Sequence, residues 1–201
     1  KRKFARQPHL QQWRRSREIR LQEVRAQHCG GEKLEQRGLG DAVLAGWASD
    51  GGMLWPETIP RVSPATLHAW RALSYPALAA AILKLFISAT DADFTHAEVD
   101  ALCAGAFGRF GSAEVVELST PLPTSVTGDR SVRVAELWHG PTLAFKDLGM
   151  AILGRVLSHL LRRRGRRLTL LVGTSGDTGS SAIEAVRGLP NIEILVLYPL
   201  R

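Results

Sequence analysis

RLTLLVGTSGDTGSSAIEAVRGLPNIEILVLY, Arg167 to Tyr198, decides the fold. The apolar run RLTLLVG ends in a glycine-rich turn, SSAIEAVRG has helical spacing, and IEILVLY is a second short apolar run. A strand, a helix and a strand within about 30 residues form the crossover unit that joins parallel strands. Both strand runs are apolar at successive positions, as expected when helices cover both faces of a parallel sheet.

Working back toward the N-terminus, a helical pattern runs from about Lys146 to Arg163. Before it, AEVVEL and VRVAELW read as strands around the loop LSTPLPTSVTGD. The front half reads differently. Ser63 with Pro64, and Ser74 with Pro76 before ALAAAILKLFI, are helix start signals, and Thr95 and Glu98 have capping-box spacing ahead of VDALCAGAFGRF. Asp50-Gly51-Gly52 marks a turn between short apolar runs. The expected architecture is α/β: a helical N-terminal region, then part of an open, mostly parallel sheet with helices on both faces. Three regions follow: a basic extension over 1–38, disordered or helical; a mainly helical region over 39–110; and the start of an α/β domain over 111–201. The chain stops soon after an apolar strand, so the sheet is expected to be incomplete and the chain a fragment.

Charge and composition exclude several functions. The 201 residues are 45% hydrophobic and 22% charged, enough for a buried core. Residues 1–38 hold 11 basic residues against four acidic ones, which accounts for the whole net charge of +7. The body beyond Leu39 is neutral, so nucleic acid is not an expected partner, and the basic head reads as solvated, with organelle targeting left open. The longest apolar run, Pro76 to Ile87, contains Lys84 and falls well short of the ~20 residues of a membrane span. Cys29 and Cys103 form neither a disulfide framework nor a zinc site, and no metal is expected.

Two constellations carry chemistry. GTSGDTGSS, Gly173 to Ser181, sits between a buried-type strand and a helix, where free backbone N–H groups and the helix N-terminus converge on an anion. Glycines allow close approach, and Thr174, Ser175 and Thr178 add hydroxyls. The spacing is neither a P-loop nor G-x-G-x-x-G, which argues against nucleotide phosphates. A plain turn, with Asp177 or Thr178 capping the helix, fits the same residues. The second constellation is ELWHGPTLAFKDLGM, centred on Lys146. Only Lys84 and Lys146 occur after Leu39, and Lys146 follows the apolar Leu143, Ala144 and Phe145 at an element boundary. Lysines buried in such surroundings become neutral, nucleophilic amines suited to Schiff-base chemistry; a surface lysine paired with Asp147 is the alternative. His139 reads as hydrogen-bonded in the strand-to-helix turn, and RRRGRR, Arg162 to Arg167, as solvated.

Together these motifs resemble the threonine synthase family of fold type II pyridoxal-phosphate (PLP) enzymes, threonine synthase-like proteins included. HGPTLAFKD resembles the family's lysine segment, SGDTGS its substrate loop, and SDGGMLWPE, Ser49 to Glu57, its DGGL-x-x-P signature; the likeness runs from about Asp41 to Tyr198. The resemblance makes Lys146 the Schiff-base lysine, with Phe145 and Asp177 beside the cofactor. It makes Ser175, Gly176, Asp177, Thr178 and Gly179 the loop that holds the substrate's α-carboxylate. It implies a lyase of threonine biosynthesis acting on O-phosphohomoserine, a small phosphorylated amino acid, with loss of phosphate and addition of water. A catabolic phospho-lyase giving 2-oxobutyrate, ammonia and phosphate is one alternative, and a truncated non-catalytic binding protein another. A cytoplasmic location and a homodimer of the full-length protein are implied as well. Two departures stand out: KLEQRGLG occupies the place of the family's opening Y-x-S-T-R-G strand, and the family's cofactor-phosphate loop is expected beyond Arg201.

Overall fold

Local capping decides where several helices begin. The computed structural model describes residues 24–26, 35–48, 51–56, 58–88, 91–128 and 130–199, which divide into two units, Lys1–Arg61 and Val62–Arg201. In the first unit, β1 (Val24–Ala26) pairs antiparallel with β2 (Glu35–Arg37), and α1 (Leu39–Ala45) follows. Of the segment 1–38, expected to be disordered or helical, residues 24–26 and 35–37 form this strand pair, and 1–23 and 27–34 lie outside the described residues. Gly51 adopts the left-handed φ of +78° that its turn requires, and Ala48 N–H donates to Gly52 O at 2.8 Å. Ser49, Asp50 and Glu57 of the SDGGMLWPE motif lie outside the described residues.

In the second unit, α2 (Pro64–Trp70) starts where Ser63 Oγ accepts from Thr66 N–H at 3.0 Å, with proline in its first turn. α3 (Tyr75–Lys84) starts at Ser74, whose hydroxyl makes no capping bond; only the backbone part of that signal is used. α4 (His96–Phe107) carries a complete capping box, and the Thr95 backbone and hydroxyl bonds hold the Glu98 carboxyl below its ordinary value. The two expected strands shrink to β3 (Glu117–Leu118) and β4 (Ala135–Glu136), paired antiparallel with the short α5 (Thr124–Thr127) between them. Val115, at φ +61°, breaks the extended backbone that AEVVEL suggests.

The remainder follows the expected alternation: α6 (Lys146–Arg163), β5 (Leu168–Gly173), α7 (Asp177–Val186) and β6 (Ile192–Leu197). β5 and β6 pair in parallel, with Leu168 opposite Ile192 and Gly173 opposite Leu197. α7 packs on both strands and on α6; α6 packs on α4, and α4 on α3. Leu171, Leu195 and Leu197 occupy an exposed face of the strand pair. The core between the helices holds Leu160, Leu161, Val99 and Cys103, and Phe107 packs edge-on against Tyr75 at 4.9 Å between ring centroids. Among the described residues no helix is long and apolar enough to cross a membrane.

The α6–α7 contact depends on Gly154. A Cβ there would stand 2.5 Å from the carbonyl oxygen of Ala185, a backbone atom that cannot rotate away. Gly154→Ala is therefore expected to destabilise the chain by about 1–3 kcal/mol, lowering the urea midpoint; an unchanged midpoint contradicts this packing.

Candidate functional site

The lysine segment is built on a strained turn. Leu143 N–H donates to Gly140 O at 3.1 Å, and Leu143 itself sits at φ +62°, a left-handed conformation unfavourable for leucine. Ala144 is buried, α6 then begins at Lys146, and Asp147 in its first turn is only 3% exposed. Lys146 is half-buried, with its Nζ 4.8 Å from the centroid of the Phe145 ring. The apolar enclosure expected around this amine is therefore partial. Leu143 and Phe145 are 73% and 60% exposed.

Asp147 does not pair with Lys146. Neighbouring side chains on a helix diverge, and this carboxylate accepts from Thr142 N–H at 2.7 Å and from Thr142 Oγ1 at 2.6 Å. Thr142 Oγ1 also lies 3.1 Å from Ser181 Oγ on α7, so the first turn of α6 is tied to the second turn of α7.

The loop ahead of α7 is organised by Thr174, a role the sequence reading did not assign. Its N–H donates to Leu197 O at 2.9 Å, and its Oγ1 accepts from Gly176 N–H and Gly179 N–H, each at 3.1 Å. The signal was a threonine two residues before a glycine at a strand end, the spacing of a hydroxyl turn. Neither Asp177 nor Thr178 caps the helix, whose N-cap residue, Gly176, has no side chain. Ser175, Gly176 and Asp177 are exposed and Thr178 is half-buried. The glycines divide by purpose. A Cβ on Gly173 or Gly176 would meet nothing within 4 Å, leaving open space over the backbone, whereas one on buried Gly179 would overlap Thr174 Cγ2 and stand 3.3 Å from Val196 Cγ1. The α7 N-terminus therefore presents backbone donors, dipole and hydroxyls to solvent, as an anion site requires.

Other candidates have structural partners. His139 Nε2 lies 3.0 Å from Glu136 Oε2 and 4.0 Å from Glu117 Oε1, in agreement with the hydrogen-bonded turn histidine expected. Arg163, Arg164 and Arg167 reach Glu98, Asp93 and Glu193 at 3.2, 2.9 and 3.0 Å, so part of RRRGRR fastens α6 and β5 to their neighbours. Cys103 is fully buried, and burial, aided by Asp100, pushes its thiol up to about 11, which makes it a poor nucleophile.

Comparison with known proteins places this arrangement. A family model described as the threonine synthase N terminus matches residues 31–107. Threonine synthase-like 2 of Xenopus laevis is 43% identical over 157 residues, and threonine synthase of Pseudomonas aeruginosa 39% identical over 159. The crystal structure of PLP-bound threonine synthase from Brucella melitensis superposes with a TM-score of 0.73 at 38% identity, and that of the yeast enzyme with 0.74 at 35%. The chain belongs to the threonine synthase family. The two sequence matches cover 78% and 79% of this chain but 31% and 32% of those relatives; the two structural matches cover 82% of it and 33% of each solved chain. Its α/β architecture is thus that of part of a threonine synthase fold.

The Thr174 hydroxyl is the acceptor for Gly176 N–H, whereas Gly179 N–H also donates to Gly176 O at 3.0 Å. Thr174→Val is expected to destabilise the chain by about 0.5–1.5 kcal/mol, the net effect of a lost hydrogen bond, and to speed amide exchange at Gly176 well above its effect on α4. Equal protection at Gly176 in both proteins would contradict this reading.

Proposed function

We propose that this chain supplies the reactive lysine and the substrate loop of a PLP-dependent lyase acting on O-phosphohomoserine. The observation that carries the reading is the pairing of two helix starts: Lys146 opens α6, and the uncapped Ser175–Thr178 loop, exposed from Ser175 to Asp177, opens α7, with Thr142 and Ser181 joining the two helices. The residues present fit the cofactor. A primary amine stands at an element start, the Phe145 ring offers an apolar wall beside it, and open space lies over Gly173 and Gly176. PLP, when bound, supplies an electron sink for carbanions.

This chain's own groups would do the rest. Lys146 Nζ takes the proton from the substrate's α-carbon and later returns it. The hydroxyls of Ser175 and Thr178 and the free N–H groups at the α7 N-terminus hold the α-carboxylate, helped by the helix dipole. Asp177, exposed in the first turn of α7, would help hold the cofactor. Gly179 lets α7 start close against β6, which sets the loop's height above the sheet. The net reaction adds water to O-phosphohomoserine and yields threonine and phosphate.

A second outcome uses the same residues, and the relatives favour keeping it. Threonine synthase-like 2 proteins match at up to 43% identity, alongside proteins named threonine synthase at 39% and 38%. The same substrate and one water balance equally as 2-oxobutyrate, ammonia and phosphate, and product analysis of the full-length protein separates the two.

The lysine assignment is tested on the chain itself by incubation with PLP, borohydride reduction and peptide mapping. The expected result is a covalent phosphopyridoxyl adduct on Lys146, reduced at least about tenfold in Lys146→Ala and retained in Lys84→Ala. No adduct, or one on Lys84, would overturn the assignment.

A further inference from the structure

The residue after the reactive lysine is more deeply buried than the lysine itself. Asp147 is 3% exposed and accepts both the backbone N–H and the hydroxyl of Thr142. A Cβ on Gly140 would stand 2.5 Å from the Asp147 Cβ, so the Gly140–Leu143 turn lies directly against this side chain. Thr142 has one hydroxyl hydrogen, and it goes to the carboxylate, which when ionised only accepts. Ser181, 1% exposed and 3.1 Å away, must then be the donor to Thr142. The bonds thus run in one direction, Ser181 to Thr142 to Asp147, and end on a charge in the first turn of α6, where the helix dipole favours a negative group. The relay also clamps the turn that keeps Leu143 left-handed at φ +62°; such strain persists only where surrounding bonds over-determine it.

We propose that Asp147 is the positioning residue for Lys146: the Ser181–Thr142–Asp147 relay fixes the first turn of α6 to α7 and so holds the amine in place for the loop at the α7 start. The inference rests on Lys146 being the reactive amine, but its test needs no cofactor.

In the cofactor-free chain, trace acetylation with peptide mass analysis reports the reactivity of Lys146 relative to Lys84, which lies on α3, paired with Asp100 at 2.5 Å. Thr142→Val keeps the side chain's shape and removes its hydroxyl; Thr142→Ser keeps the hydroxyl. Expected is a rise in the Lys146:Lys84 ratio of about threefold or more in Thr142→Val, comparable to the net effect of one hydrogen bond, with the wild-type ratio in Thr142→Ser. A smaller rise, a fall, the same change in Thr142→Ser, or Lys84 moving in step with Lys146 would overturn the proposal. Should Thr142→Val fail to fold, Ser181→Ala cuts only the tie to α7 and is judged by the same ratio. Absence of the borohydride-trapped adduct in the wild type would remove the assigned role of Lys146 without altering this ratio, so the two failures are distinguishable.

Discussion

The close approach of α6 and α7 is the constraint on which the rest depends. Gly154 allows it, because no side chain intervenes between the α6 backbone and the carbonyl of Ala185. Once the helices touch, Thr142 and Ser181 come within 3.1 Å, and the starts of both helices are fixed at one end of the layer. At the edge of the same contact, Glu184 on α7 is held by Arg187 and by Arg109, which keeps its carboxyl below the ordinary range. Helix packing, and not a sheet of two strands, carries the geometry of this unit.

The two helix starts differ in what they present. At α6 the side chains matter: an amine lies over an aromatic ring, and the adjacent carboxylate is turned inward. At α7 the backbone matters. Because Thr174 satisfies Gly176 and Gly179 from behind, no side chain needs to cap the helix, and its front remains open to an anion. A capping Asp or Ser at position 176 would compete with a bound carboxylate for the same donors.

Much of this was legible in the sequence where the physics is local. Pro64 and the Thr95–Glu98 box mark their helices correctly, the pattern from Lys146 to Arg163 matches α6 at both ends, and the apolar runs become β5 and β6. Where tertiary contacts decide, the reading failed. AEVVEL has strand composition but bends at Val115, and Ser74 marks a helix start without bonding to it. Asp147, next to Lys146 in sequence, finds its partners in Thr142, because adjacent helical positions face different ways. In the sequence Thr174 is one hydroxyl among three; its role depends on the distances from its Oγ1 to Gly176 N and Gly179 N, which only the folded turn defines.

Whether the starts of α6 and α7 act as one site is decided by titrating the ¹⁵N-labelled chain with PLP and following its amide resonances. The amides of Phe145 to Asp147 and those of Ser175 to Thr178 are expected to shift together along a single binding curve. Shifts confined to one of the two segments, or two curves with separate midpoints, would contradict it.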